Sequence, residues 1–405
     1  MSAFLILSLI GWLSVVSLAL FRSRTYAIYR GVTLGLQVLF AATLAHRFQS
    51  EQAPWLFWLF CYLHAATFAQ AIGLIRPRMR SLPYRALLSV PGAFFAAGTV
   101  LSLPWVLARA FGFDMPGVFV PYVAAAIGVL QSLWSREETR DIVVADSQVV
   151  PALSRHMTSD ARVQRPLKLV QITDPHLGPF MSVERLQRIC RRAVEKAPDL
   201  ILLTGDFLTM ESQADSRLLE QALSPLKQLP GRVFACLGNH DHEAPLTVRR
   251  ALSNNGVTLL VDAAESLDTA AGRVQIVGMD FVWRERKQHL ASVCQAHPRE
   301  AGALRIVLLH DPGAFVHLPE GEADLVLSGH THGGQVGLVS LGLPYTMMRA
   351  FVKMPDHGLW ARGTDRLYVH RGTGHYGFPL RLGVPSEESV LAVHSPAHHG
   401  ALLPS

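Results

Sequence analysis

The sequence predicts an α/β protein in two parts. A multi-span α-helical membrane domain at residues 1–135 is followed by a linker with an edge strand at 136–165, an α/β domain at 166–396 and a tail at 397–405. Three observations lead there. Apolar residues crowd the first 135 positions, short apolar runs alternate with amphipathic stretches beyond them, and five of those runs end in Asp, Asn or His.

The membrane part rests on residues 3–21, 26–45, 54–75, 87–108 and 116–134, each 19 to 22 residues long and mainly apolar. That is close to the ~20 residues with which a helix crosses a bilayer. Arg30 shortens the clean core of the second stretch, and Pro91, Pro104, Pro116 and Pro121 fall in the fourth and fifth. Proline is tolerated there where neighbouring helices satisfy the freed carbonyls. Trp55, Trp58, Trp105 and Trp134 stand near the expected span ends, where interfacial aromatics collect. Met1 to Ile10 has no positive n-region and no small-residue cleavage site stands out, so a cleaved signal peptide is not expected. The lipid bilayer is the first expected partner.

From Arg136 the chain turns polar, and "REETRDIVVADSQVVPALSRHMTSDARVQRP" predicts an exit linker with one edge strand, Ile142 to Val150. Val183–Lys196, Ala214–Leu229 and Leu246–Ser253 have the apolar spacing of amphipathic helices. The strands around them end in chemistry. "LKLVQITDPHLG" gives Asp174 and His176, "LILLTGDF" gives Asp206, and "RVFACLGNHDH" gives Asn239, His240 and Asp241. "RIVLLHDP" gives His310, and "ADLVLSGHTHGGQ" gives His330 and His332. Strands that each end in such a residue bring donors far apart in sequence to one rim of a sheet. Later strands at Arg273–Met279, Arg366–His370 and Ser389–His394 come without long helices between them, which suits a second, mixed sheet.

The order DxH, GD, GNHD, H, GHxH resembles the calcineurin-like metallophosphoesterase family, in its membrane-associated bacterial type, over roughly residues 141–396. As a set the match is specific, although "GD" or a single His alone means little. The resemblance implies a two-sheet β-sandwich flanked by helices and a metal-dependent hydrolysis of phosphoric esters. Such a reaction brings a nucleophile against an anionic phosphorus, and two divalent cations about 3.5 to 4 Å apart neutralise that charge and lower the pKa of a bound water to ~7. By resemblance Asp174, His176, Asp206 and His332 hold the first metal, and Asp206, Asn239, His310 and His330 the second. Asp206 is then the bridge. This mixed donor set suits Mn²⁺, Fe or Zn²⁺ better than Ca²⁺.

By the same resemblance His240 points at the substrate, donating a proton to the leaving oxygen, with Asp241 holding its ring; an imidazole titrating near neutrality is fit for that. Gly205, Gly238, Gly329 and Gly333 leave the backbone free to turn tightly. In one departure, Thr209 stands where family members often carry Asp or Asn. Thirteen of the eighteen histidines remain, most of them structural; His357, His370 and His375 lie in a stretch resembling the family's segment after GHTHGGQ, which carries a Gly-rich turn near the pocket. That segment usually continues into Pro-Glu, where this chain has Pro385, Ser386 and Glu387.

The remaining composition bounds the function. Four cysteines form no CxxC or other ligand spacing, so neither a disulfide framework nor a thiolate metal site is expected. The net charge of +6 comes from scattered Arg with no aromatic interleaving or nucleic-acid motif, and no nucleic-acid partner is expected. Bacterial members of the resembled type include UDP-2,3-diacylglucosamine hydrolases and related phosphodiesterases, and five spans would be an extravagant anchor for an enzyme with a freely soluble substrate. The expected substrate is therefore a lipid-linked phosphodiester or pyrophosphate. A membrane sensor or transporter-like protein that only binds a phosphorylated ligand is the competing class; the full donor set and His240 argue against it, and only Arg30 and His64 are ionisable within the expected spans. Arg22, Arg24 and Arg30 cluster at one interspan loop and Arg76, Arg78, Arg80 and Arg85 at another. The positive-inside rule puts both in the cytoplasm, so five crossings of the cell inner membrane place the catalytic domain there too.

Overall fold

The structure, a computed structural model, describes residues 2–50, 52–76, 78–144, 149–157, 162–375, 377 and 380–395. The expected tail at 397–405 lies outside the described residues. The chain divides into two units: Met1–Leu133 with Met210–Ala214 and Gly377–Leu382, and Trp134–Thr209 with Asp215–Tyr376 and Gly383–Ser405.

In the first unit, helices Arg24–Phe48, Pro54–Gly73 and Leu82–Leu101 are long and apolar enough to cross a membrane. Only 28 to 39% of their most apolar windows is buried, and large side chains such as Ile28, Leu39 and Trp58 face outward. A helix apolar on both its packed and its open faces is suited to a hydrocarbon solvent. Ser23 starts the first of these helices by accepting a hydrogen bond from Tyr26 N at 3.0 Å. Phe60 and Phe95 meet edge to face, centroids 4.9 Å apart, and His64 Nε2 lies 3.0 Å from Ser8 Oγ, so His64 is a packing residue.

Proline displaces the expected fourth span toward the amino end and shortens the fifth. The stretch expected at 87–108 breaks after Leu101 into a second helix, Leu103–Ala110, because Pro104 has no N–H to give to the carbonyl four residues back. The stretch expected at 116–134 is helical only from Val120 to Ser132, with proline in its first turn. Ala3–Ala19 and Val120–Ser132 are shorter apolar helices.

The second unit is built on two mixed sheets. In the first, of six strands, the order is β1 (Ser135–Val143), β13 (Ser386–His394), β3 (Leu167–Ile172), β4 (Leu200–Leu203), β5 (Val233–Ala235) and β6 (Thr258–Leu259). The second has seven: β2 (Val150–Arg155), β11 (Gly358–Gly363), β12 (Asp365–Val369), β10 (Leu325–Ser328), β9 (Leu304–Leu308), β8 (Gly272–Gly278) and β7 (Ala263–Thr269). Strands β3 to β6 run parallel, as do β8, β9, β10 and β12. All four residues of β4 are buried, as expected of a parallel strand covered on both faces.

Between the sheets lies an apolar core that includes Leu169, Leu202, Phe234, Ile306, Leu327 and Leu391. Helices Val183–Glu195, Ser216–Leu223 and Pro245–Ser253 cover the outer face of the six-stranded sheet, and Arg286–Ala296 that of the other. This is the two-sheet sandwich that the motif order implied. The single edge strand expected at Ile142–Val150 is instead two, β1 and β2, one at the edge of each sheet.

Candidate functional site

Asp174 and His176 follow β3, Asp206 follows β4, Asn239 and His240 follow β5, His310 follows β9, and His330 and His332 follow β10. Parallel pairing puts the carboxyl ends of these strands on one rim, the place where open α/β sheets bind ligands. The structure brings Asp174, His176 and His332 into one group and Asp206, His310 and His330 into a second; the donor atoms of each group lie within 4.8 Å of one another. His332 Nε2 is 3.3 Å from Asp174 Oδ1, and the two Nε2 atoms of His176 and His332 face each other at 3.1 Å. Asp206 Oδ2 reaches both groups, 3.2 Å from His310 Nε2 and 3.7 Å from His176 Nε2.

Backbone geometry aims these side chains. Asp174, His176, Asp206, His330 and His332 all have φ between 45° and 68°, the left-handed region that L residues avoid. Such strain persists where surrounding contacts over-determine it, and here they do. Asp174 accepts from His330 N at 3.0 and 3.1 Å, and Asp206 Oδ1 accepts from His240 N at 2.9 Å. Two glycines are required by close approach: a Cβ on Gly238 would run into Asp206 Oδ1, and one on Gly329 into Asp174 Oδ2.

The donor set fits divalent cations. Acceptor atoms converge with little else between them, which is unfavourable unless a positive charge balances them. His310 Nδ1 lies 2.6 Å from the Thr204 carbonyl, and because a carbonyl only accepts, that nitrogen carries its proton and Nε2 is turned to the site. Burial works against a charge on His310, yet the Asp206 carboxylate outweighs it and pushes the imidazole up to about 10. A cation taking the place of that second proton would satisfy the same carboxylate. Burial pushes His176 down to about 3, leaving it neutral and fit to donate a lone pair. Asn239 Oδ1 is buried with no hydrogen-bond partner among the described residues, as an amide oxygen kept for a cation would be.

Around His240 one expectation is corrected. Asp241 does not hold the His240 ring. Fully buried, it accepts from Asp206 N at 2.7 Å, Gly238 N at 2.8 Å and Phe207 N at 2.9 Å, so its carboxylate ties the turn after β4 to the turn after β5. His240 Nδ1 instead meets Glu243 Oε1 at 2.7 Å across one turn of 3₁₀ helix. Burial opposes a charge on His240, but Glu243 and Asp206 together hold its pKa above the usual imidazole value. Glu243 escaped the sequence reading because an acid in "NHDHE" resembles any surface acid; its only signal was the i, i+3 spacing from His240. Thr209 Oγ1 donates to the Leu177 carbonyl at 3.1 Å, so it braces the turn beside Asp206.

Of the three later histidines, His357 Nδ1 lies 3.2 Å from Asp356 and 3.1 Å from an Arg155 nitrogen, His370 Nδ1 accepts from Gly372 N at 2.9 Å, and the His375 ring packs 5.0 Å from Phe180. The turn between the last two does touch the site backbone: Thr373 N donates to Thr173 O at 2.9 Å and Gly374 N to Asp174 O at 3.0 Å. Beside His330 the Phe281 ring stands 6.3 Å away, with Trp283 packed edge-on against it at 4.7 Å.

Residues 167–334 match the family described as calcineurin-like phosphoesterase. "Phosphodiesterase YaeI" of Escherichia coli is 32% identical over 232 residues, 56% of this chain and 82% of the relative. The chain belongs to the calcineurin-like phosphoesterases. "Uncharacterized metallophosphoesterase YkuE" of Bacillus subtilis is 30% identical over 56% of this chain and 79% of its own length. "Transmembrane protein with metallophosphoesterase domain" of Danio rerio is 30% identical over 55% of this chain and 52% of its own. This phosphoesterase is therefore a metal-dependent phosphoric ester hydrolase.

Replacing Asp241 by Asn would turn an amide N–H₂ toward backbone N–H donors. Loss of one such buried acceptor costs about 1–3 kcal/mol, so Asp241→Asn is expected to melt earlier and to retain less metal than the parent protein. Calorimetry and elemental analysis check this, and an unchanged melt with full metal content would contradict the anchoring role.

Proposed function

We propose that this phosphoesterase is a membrane-bound, dimetal phosphodiesterase that cleaves a phosphodiester or pyrophosphate bond in a lipid-linked substrate. The observation that carries the chemistry is the single carboxylate oxygen of Asp206 facing both donor groups. Asp174, His176, Asp206 and His332 would hold one cation, and Asp206, Asn239, His310 and His330 the other. Bound there, the cations would neutralise phosphoryl charge and supply a nucleophilic water near neutral pH. Mn²⁺, Fe and Zn²⁺ all suit this mixture of carboxylate, amide and imidazole.

The chain's own residues do the rest. His240, 20% exposed and with its ring 5.7 Å from that of His176, is placed to give the leaving oxygen a proton from Nε2. Glu243 on Nδ1 fixes the ring and favours the protonated form that a general acid needs. The Phe281 and Trp283 side and the Thr373–Gly374 turn would bound the substrate and limit water. The phosphodiester class is favoured by the name of the Escherichia coli relative, and the membrane setting by the transmembrane relative and the three long apolar helices. A lipid-linked substrate is the economical reason to keep such a catalyst in a membrane.

Asp206→Asn is expected to abolish hydrolysis of bis(p-nitrophenyl) phosphate in Mn²⁺ and to lower metal content, since a neutral amide cannot bridge two cations as a carboxylate does. Near-normal turnover with two metals retained would remove the bridge. His240→Ala should slow esters with poor leaving groups by about 10²–10⁴-fold and p-nitrophenyl esters far less, because nitrophenolate leaves without protonation. Equal losses at constant metal content would exclude the general-acid role.

The inner-membrane orientation is part of the proposal. The loops bearing Arg22 and Arg24, and Arg76, Arg78, Arg80 and Arg85, favour the cytoplasm. Two further crossings, by Leu82–Leu101 and by the shorter Val120–Ser132, would then put the catalytic unit in the cytoplasm. Fusions after Ser405 test this: fluorescent green fluorescent protein with inactive alkaline phosphatase is expected, and the reverse pair would show that Val120–Ser132 does not cross.

A further inference from the structure

We propose that residues 338–353 form a flap that docks on an anionic lipid surface and presents membrane-held substrate to the metal-binding rim. Leu341, Leu343, Tyr345, Met347, Phe351 and Val352 are all exposed, Leu341 at 74% and Phe351 at 82%. Scattered exposed apolar residues are ordinary, but a contiguous run of this kind marks a surface that something covers. Between His332 and Asp356 there is no Asp or Glu, while Arg349 and Lys353 stand exposed within the apolar run. Cations beside an apolar surface, with a tyrosine among them, complement anionic headgroups over an acyl layer. The only α-helix in the flap, Met347–Phe351, has five residues, so the flap would lie on a membrane and cannot cross it.

The flap is rooted in the site. Leu338 N donates to the Tyr345 carbonyl and Met347 N to the Val336 carbonyl, each at 2.8 Å, closing a narrow loop. At its base Thr346 Oγ1 donates to Asp356 Oδ2 at 2.6 Å, and Thr331 Oγ1 donates to the Asp356 carbonyl at 2.6 Å. Thr331 lies between His330 and His332. The apolar run therefore begins within a few residues of two metal-donor histidines, on the same hydrogen-bonded frame. The inference takes its setting from the membrane-bound reading and names what that reading leaves open: the part of the catalytic unit that meets lipid.

The test uses the full chain in nanodiscs of phosphatidylethanolamine and phosphatidylglycerol, with Cys61→Ala to remove a partly exposed thiol. An environment-sensitive fluorophore is attached at Phe351→Cys or, as the control, at Arg217→Cys, which is exposed on the helix Ser216–Leu223. Nitroxide-bearing lipids should quench the label at 351 and leave the control bright, while aqueous iodide should do the opposite. Iodide quenching of both labels, with no effect of nitroxide lipid, would overturn the proposal. In a second arm, Leu341→Ser with Phe351→Ser should lower kcat/KM on a nanodisc-embedded lipid phosphodiester by about tenfold or more, as expected when apolar contact with the bilayer is lost, and leave bis(p-nitrophenyl) phosphate turnover unchanged. Equal losses on both substrates would mean that the flap only supports the site. A protein with no hydrolytic activity would defeat the proposed reaction, and the quenching arm would still decide the flap.

Discussion

The Asp206 carboxylate sets the terms for the rest of the catalytic unit. It is buried, faces two groups of imidazole and carboxylate donors at 3.2 and 3.7 Å, and is held from behind by the His240 amide. A buried anion is stable only where its charge is met, and the surrounding structure meets it in layers. His310 turns Nε2 toward it, the His240 amide donates to it, and the donor atoms beside it leave a place that a divalent cation fits. His310 is held high by that carboxylate and His176 is driven low by burial. A single environment thus separates the titration of two chemically identical rings, one through charge and the other through desolvation.

Holding five functional residues at left-handed φ requires stiffness behind them. Each such residue costs on the order of 1–3 kcal/mol, and the compensation comes from strands whose interiors leave no choice. β4 is buried at every position, and the inter-sheet core packs Leu202 and Phe234 against Ile306 and Leu327. Asp241 then ties the turn after β4 to the turn after β5 through three backbone amides. It is a buried acid beside His240 whose work is architectural. Its position in the sequence, next to His240, suggested catalysis, while its contacts serve the backbone.

Much of this was legible in the sequence because strand-end chemistry is local. An apolar run followed by Asp174, Asp206 or His310 states both the burial of the strand and the exposure of its end, and parallel pairing alone brings those ends together. Helices at Val183, Ser216 and Pro245 were equally visible through their apolar spacing. What escaped depended on short-range geometry that residue type does not announce. The Glu243 contact to His240 exists because that segment makes a 3₁₀ turn, and the exchange of roles between Glu243 and Asp241 is decided by which of two neighbouring acids faces inward. Hydropathy also misplaced the ends of the last two spans, since it counts apolar residues across Pro104 and Pro121 where the hydrogen-bonded helix stops or starts.

The site's donor histidines and the exposed apolar run at 338–353 sit on one frame because of the way the chain leaves β10. Gly333 and Gly334 both have positive φ, and Gln335 follows at φ 57°, so the chain leaves β10 through a chain of left-handed turns before it can start another element. The segment closes on itself through Leu338 N to the Tyr345 carbonyl and Met347 N to the Val336 carbonyl, and the Thr331 and Thr346 hydroxyls tie it down on Asp356. Asp356 in turn is held below the usual carboxylate range: burial opposes its charge, but bonds from His357 and Thr346 and the nearby Arg155 prevail. Asp356 thus holds the base of the apolar run through its carboxylate and the turn that carries His330 and His332 through its backbone carbonyl. The Thr346–Asp356 bond thus links the base of the exposed run to the residue that the Thr331 hydroxyl reaches, and through it to the donors at the rim.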